Sequence, residues 1–188
     1  MTLLHATPKN TDDIKEGLRR IIPWKKNVVF FCVGSDKTTG DAFGPLVGTM
    51  LRRNGFNVIG HLHKTVYGDA VQDYIYDPPR NSFVVGIGAV NSQTVKQGIL
   101  EITDRPLIPV SNKRLFVGEA SISYAVCNVP DDFLFVKLST ISLAFIMDGA
   151  DALVESIIET YKEYELKSAI SPKQRSWTRE PTIQRIKT

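Results

Sequence analysis

VVFFCVGSDKTTGDAFGPLVG, residues 28–48, decides the fold. Its opening, Val28-Val29-Phe30-Phe31-Cys32-Val33, is a continuous apolar run, the pattern of a strand buried on both faces of a parallel sheet. Gly34 ends that run, and a polar loop from Ser35 to Asp41 follows. A helix is predicted from there to about Asn54, with Pro45 in its first turn and Gly55 as its stop. A strand that breaks into a loop and feeds a helix brings several backbone amides together, a geometry that can hold an anion. The loop is neither a Walker A loop nor a dinucleotide fingerprint, because Gly-Lys-Ser/Thr and G-x-G-x-x-G are both missing. On spacing alone it is equally an ordinary turn in which Asp41 caps the helix.

Working outward, Thr11 reads as an N-cap with Asp12 and Asp13 in the first turn behind it. The helix it starts carries Ile14, Leu18, Ile21 and Ile22 on one face and stops at Pro23. Downstream, strands are predicted over 56–62, 83–87, 98–103 and 120–128, with a short helix over 69–76. A loop over 104–118 is rich in proline and basic residues, and a helical pattern over 131–166 is interrupted near Ser139 and Thr140. Alternating strands and helices predict an α/β protein: a single three-layer α/β/α domain with a mostly parallel sheet. Residues 1–26 are read as an N-terminal helix packing on the domain, 27–166 as the domain itself, and 167–188 as a basic C-terminal tail. Ligands of such sheets sit beyond the carboxyl ends of the strands. That places 34–41, 61–69 and 88–92 around one cleft, with 104–119 closing it.

Composition narrows the function classes. The 188 residues carry a net charge of +3, yet six basic residues and one acid lie between Lys167 and Lys187. The rest of the chain is therefore slightly acidic, and nothing outside the tail suggests nucleic-acid binding. No uncharged apolar run reaches the roughly 18–20 residues of a membrane span. The N-terminus lacks the basic flank and apolar core of a signal peptide, so a cytoplasmic protein is expected. Cys32 and Cys127 sit in apolar strand-like segments and read as reduced core thiols.

The stretch Gly34-Ser-Asp-Lys-Thr-Thr-Gly-Asp-Ala-Phe-Gly-Pro-Leu-Val-Gly48 resembles the opening signature of the sporulation protein YyaC family. That family is itself similar to the spore germination protease and, more remotely, to hydrogenase maturation endopeptidases. Gly60-His-Leu through Val66-Tyr-Gly, Pro106-Leu-Ile-Pro109, Lys113 and Val117-Gly-Glu-Ala-Ser-Ile122 agree in order and spacing, so the resemblance covers about 27–163. It implies a phosphorylase/hydrolase-like fold and an aspartate-dependent peptidase associated with sporulation. Asp41-Ala42-Phe43-Gly44-Pro45 matches the Asp-Ala-(Leu)-Gly-Pro motif of the germination protease, so Asp41 inherits a catalytic role. The second aspartate expected after the third strand is replaced by Gly88, the histidine after the second strand by Tyr67, and an Asn-Thr-Arg by Ser139-Thr140-Ile141.

Aspartyl hydrolysis needs two carboxylates close enough to share a proton. With Gly88 in place of one, Glu119 is the first candidate partner for Asp41, followed by Asp36 and then Asp69. Gly34, Ser35, Gly40, Tyr67 and Lys113 are the expected substrate-binding residues, the 34–40 amides steadying a substrate carbonyl. His61 and His63 have the i, i+2 spacing of one strand face, but Lys64 beside them repels a cation, and no metal or other cofactor is expected. No Gly-x-Ser-x-Gly elbow is present. Ser121 and Ser123 fit ordinary strand alternation, and Phe133, Phe135, Phe145 and Tyr161 fit core or interface aromatics, with a homodimer surface among the readings. Two functions stand: a germination-protease-like peptidase, and an inactive relative that binds a peptide or protein partner through the same cleft.

Overall fold

A computed structural model describes residues 3–109 and 115–170. The run that opened the sequence reading is the centre of the sheet. Strand β2 (Asn27–Val33) sends Phe30 and Cys32 to one face and Phe31 and Val33 to the other, and all four are buried. It pairs in parallel with β3 (Asn57–Ile59) on one side and β4 (Ser82–Asn91) on the other. β6 (Ala120–Cys127) continues the parallel set beside β4. β5 (Leu100–Thr103) is antiparallel to β6, and β1 (Leu3–Ala6) antiparallel to β5. The order is β1-β5-β6-β4-β2-β3, a mostly parallel six-stranded sheet in an α/β/α domain.

One face is covered by α1 (Thr11–Ile21), α2 (Phe43–Arg53) and α5 (Leu143–Ile170). Ile14 and Leu18 of α1, Val47 and Leu51 of α2, and Ile146, Leu153 and Ile157 of α5 close over Phe30, Cys32, Val85, Ile87 and Ile122 without solvent exposure. Lys15 and Arg19 then tie α1 to α5 through Glu159 and Glu163, at 3.1 and 2.9 Å. The opposite face is thinner. There α3 (Ala70–Tyr74) and a two-residue bridge between Leu107 and Val117 lay Val66, Val71, Leu107 and Val117 over Phe31 and Val33. α4 (Leu134–Thr140) stands at the carboxyl end of the strands, separated from α5 by Ile141 and Ser142.

Four local expectations need correction. The N-cap of α1 is Asn10, not Thr11: its side-chain oxygen accepts the Asp13 amide (3.4 Å). The strand over 56–62 stops at Ile59, because Gly60 turns at φ 85°, where a β-carbon would lie 2.0 Å from the Cys32 carbonyl oxygen. His61 and His63 therefore lie in a turn and share no strand face. Asp41 belongs to a 3-10 turn over Thr39–Asp41, and the N-cap of α2 is Ala42, so the Asp41 carboxylate is not spent on capping. β1 was not expected at all. Its four residues follow the chain start with no alternation, and they become a strand only by pairing with the edge of β5.

Among the described residues no single helix is long and apolar enough to cross a membrane. Cys32 and Cys127 are buried and unpaired with each other, and burial pushes both thiols up.

Candidate functional site

The cleft forms where β2 and β4 end. Val33 and Gly34 leave β2, Gly88 and Ala89 belong to β4, Tyr67 comes from the 61–69 turn, and Leu107 and Pro109 come from the bridge loop. Asp41 reaches into this space from the 3-10 turn. All four segments expected around a common cleft thus contribute to it. Its volume is about 30 Å³, room for a water molecule or the tip of a side chain.

Backbone crowding fixes the position of Asp41. Gly34 has φ 147°, and a β-carbon there would lie 2.2 Å from the Asp41 carbonyl oxygen. The Ser35 amide donates to that same oxygen at 3.1 Å. Behind it, a β-carbon on Gly44 would lie 2.1 Å from the Val33 carbonyl, so α2 docks on β2 backbone against backbone. The carboxylate is consequently held largely buried. Burial pushes its pKa up to about 6, and the Ser35 amide pulls the other way more weakly. No second charge contributes to that shift.

The expected partners are elsewhere. Glu119 precedes β6, whose register sets Ser123 beside Gly88, so four residues, roughly 13 Å of strand, separate Glu119 from the cleft. Its carboxylate accepts the Val84 amide at 2.8 Å, and its own amide donates to the Val84 carbonyl at 2.9 Å. The error lay in treating the start of a strand parallel to β4 as if it lay at the end of β4. Asp36 is exposed outside the cleft beside Lys37. Asp69 likewise does not line it. The segment 110–114 completes the loop and contains Lys113 and Arg114 but no acid. Lys113 itself lies outside the described residues.

Of the expected binding residues, Gly34 and Tyr67 line the cleft and Ser35 backs it. Gly40 does not: it is buried under Leu138 of α4 and Ile141. The amide cradle is also largely spent on the protein itself. Gly34 N–H donates to the Val66 carbonyl (2.9 Å), Ser35 N–H to Asp41, Lys37 N–H to the Ser35 hydroxyl (3.1 Å), and Asp41 N–H to the Thr38 carbonyl (3.2 Å). The loop is a folded turn that presents one carboxylate.

Two further features border the cleft, one that the sequence did not point to (Lys37) and one in which Phe133 and Phe135, expected as core or interface aromatics, stand exposed. Lys37 folds over the cleft wall, its ammonium on the Tyr67 hydroxyl and 4.7 Å from the ring centre. α4 packs on the turn that carries Asp41, yet leaves Phe135 and Val136 71% and 63% exposed, beside an equally bare Phe133. The sequence shows a lysine four residues before Asp41 and an apolar Phe-Leu-Phe-Val run, but nothing in it places either beside the cleft. Among the described residues no group of three His, Cys, Asp or Glu side chains converges as metal ligands.

Comparisons with known proteins place the chain in a family. Residues 3–156 match the family described as "Protein of unknown function (DUF1256)". The chain is also 30% identical over 159 residues to a Bacillus subtilis (strain 168) protein named "Uncharacterized protein YyaC", across 80% of this chain and 77% of that relative. Since the family match runs from β1 into α5, through every described segment that lines the cleft, the chain belongs to the DUF1256 family and is a relative of YyaC.

Proposed function

We propose that this chain is a peptidase-like protein that binds a peptide segment of a partner protein at the Asp41 cleft and does not cleave it. The observation that carries this reading is Asp41 standing alone: among the described residues that line the cleft it is the one carboxylate, and Gly88 lines it where the family resemblance leads one to expect a second. Peptide hydrolysis by an acid pair needs one group to activate water while the other polarises the carbonyl, and one carboxylate does not do both at once. A single carboxyl group with its pKa near 6 still recognises a backbone. Protonated, it donates to a peptide carbonyl; ionised, it accepts from a peptide N–H. The exposed Phe133, Phe135 and Val136 next to the Asp41 turn support a protein partner, because an apolar strip beside a polar anchor is what an extended peptide buries.

The competing reading is a sporulation-associated peptidase that uses Asp41 alone as its acid/base, and the Asp41 pKa is the observation in its favour. One experiment separates the two. A peptide library is offered to the wild type, Asp41→Asn and Gly88→Asp over roughly pH 4–8, the range in which such groups titrate. The binding role predicts no Asp41-dependent cleavage, together with peptide capture that changes across pH 5–7 in the wild type and is flat in Asp41→Asn. Cleavage by the wild type that Asp41→Asn abolishes returns the peptidase. Gly88→Asp is sterically close to permitted, since its β-carbon would meet Leu107 Cδ2 and the Val33 carbonyl at 3.3 Å. New cleavage in that variant would mean that only the second carboxylate was missing.

A further inference from the structure

A second pocket, of about 350 Å³, lies on the same rim of the sheet, beyond the end of β3. Three elements converge on it. Arg52 comes from the last turn of α2, His61 and Lys64 from the turn after β3, and Tyr74 from α3. The turn is a tight hairpin in which His61 and Lys64 exchange both backbone hydrogen bonds, at 3.1 and 2.8 Å, so their side chains stand directly opposite each other. It is pinned to α2 by Thr49, whose hydroxyl accepts the Leu62 amide (2.9 Å) while donating to the Pro45 carbonyl (2.8 Å). Lys64 lies over the Tyr74 ring, 4.8 Å from its centre.

This arrangement gathers positive charge and leaves it uncompensated. Here the cationic guanidinium of Arg52 also touches Nε2 of His61. A guanidinium only donates, so Nε2 accepts and His61 is held neutral. Burial first, then the charges of Arg52, His63 and Lys64, keep its pKa below the usual imidazole value. Asp77 borders the pocket, but among the described residues neither it nor any other carboxylate forms an ion pair with Arg52, His61, His63 or Lys64. Thr49 and the hairpin bonds hold these cations in place without an anion between them.

We propose that this pocket is an oxyanion-binding site, in which Arg52 and Lys64 grip a carboxylate or phosphate group and a protonated His61 joins them. A bidentate guanidinium and a point-charge ammonium suit such a group. The site adjoins the Asp41 cleft: Val66 lines this pocket while its carbonyl accepts the Gly34 amide, and Tyr67, the next residue, lines the cleft. An acidic side chain of the peptide proposed above is therefore one source of the oxyanion, and that source rests on the peptide-binding reading. A free phosphate is the other.

The test has two arms. In the first, His61 is titrated by NMR with and without inorganic phosphate in the full-length protein. An anion within hydrogen-bonding reach raises its pKa by about one unit. The effect should vanish in Arg52→Gln/Lys64→Gln and persist in Lys26→Gln, a control at the opposite end of β2. An unmoved His61, or a shift that survives the double variant, overturns the site. In the second arm, peptides captured by the cleft are compared as Glu and Gln versions. About tenfold tighter binding of the Glu version, lost in the double variant, identifies a peptide carboxylate as the source. Equal binding of the two, with His61 still responding to phosphate, leaves the site intact and assigns it to a small phosphate. If no peptide binds while phosphate moves His61, the peptide-binding reading fails and the oxyanion site stands.

Discussion

Asp41 and Glu119 are both carboxylates next to β4, and they occupy opposite ends of it. At the carboxyl end the backbones of β2, α2 and the 34–41 turn are pressed together, and Asp41, largely buried there, is pushed up to about 6 with one weak amide donor to hold its charge. At the amino end Glu119 is fixed by paired bonds to Val84 and acts as a staple for the start of a strand. A carboxylate placed where strands end faces a cleft with its hydrogen-bonding capacity unused. One placed where strands begin is absorbed by the ladder. Reactivity here follows from the end of the sheet on which a residue falls.

The sharpest way to break this contrast is to loosen the carboxyl end. Gly44→Ala drives a methyl group to 2.1 Å from the Val33 carbonyl, and no side chain can move aside to relieve it. A loss of about 3 kcal/mol, at the upper end of overpacking costs, is expected in urea unfolding. Asp41 should gain water at the same time and its pKa should fall. Gly55→Ala, at the amino end of the neighbouring strand, meets nothing within 4 Å and suffers only from its φ of 84°. About 1 kcal/mol is expected there. Equal losses in the two variants would remove the special status of the carboxyl end.

A second prediction uses pH. Folding raises Asp41 from near 3.8 to about 6, so between those values the folded chain binds more protons than the unfolded one. The contribution of Asp41 to stability is therefore most favourable below about pH 4, falls as pH rises through 6, and stays reduced above it. Asp41→Asn removes this loss, because the amide carries no charge. The variant should match the wild type at pH 4 and exceed it by about 2 kcal/mol at pH 8, the shift being discounted for partial exposure. Urea curves at the two pH values decide it. A variant less stable than wild type at pH 8 would mean that the ionised carboxylate is held by donors, and that Asp41 resembles Glu119 after all.

Much of this contrast was legible in the residues. The run 28–33 announced a strand buried on both faces, and Pro45 in the first turn with Gly55 as the stop announced the helix that follows it. The segments that meet at the cleft followed from parallel topology alone. What was not legible depends on partners distant in sequence. Whether the Gly34 amide is free to hold an anion depends on the Val66 carbonyl, and whether Glu119 faces the cleft depends on which end of β4 its strand begins beside. β1 is a strand because β5 offers an edge, and the local pattern of Leu3–Ala6 says nothing of that. His61 and His63 were visible as a spaced pair with Lys64 beside them, but the convergence of His61 and Lys64 with Arg52 needed the Gly60 turn and the Thr49 hydroxyl.

The smallest effect belongs to Glu119, and it is the one that isolates a staple from a site. Glu119→Ala leaves the Val84 amide without its side-chain acceptor, at a place that water partly reaches, and should cost about 1 kcal/mol. Glu119→Gln keeps an acceptor oxygen in the same position and should cost less than about 0.5 kcal/mol. Because the bond reports on the start of β4, hydrogen exchange at Val84 should quicken in the alanine variant and remain slow in the glutamine variant. Peptide capture at the cleft should be unchanged in both. A glutamine variant that folds normally yet loses capture would give the Glu119 charge a functional role across roughly 13 Å of strand. The division between the two ends of β4 would then no longer hold.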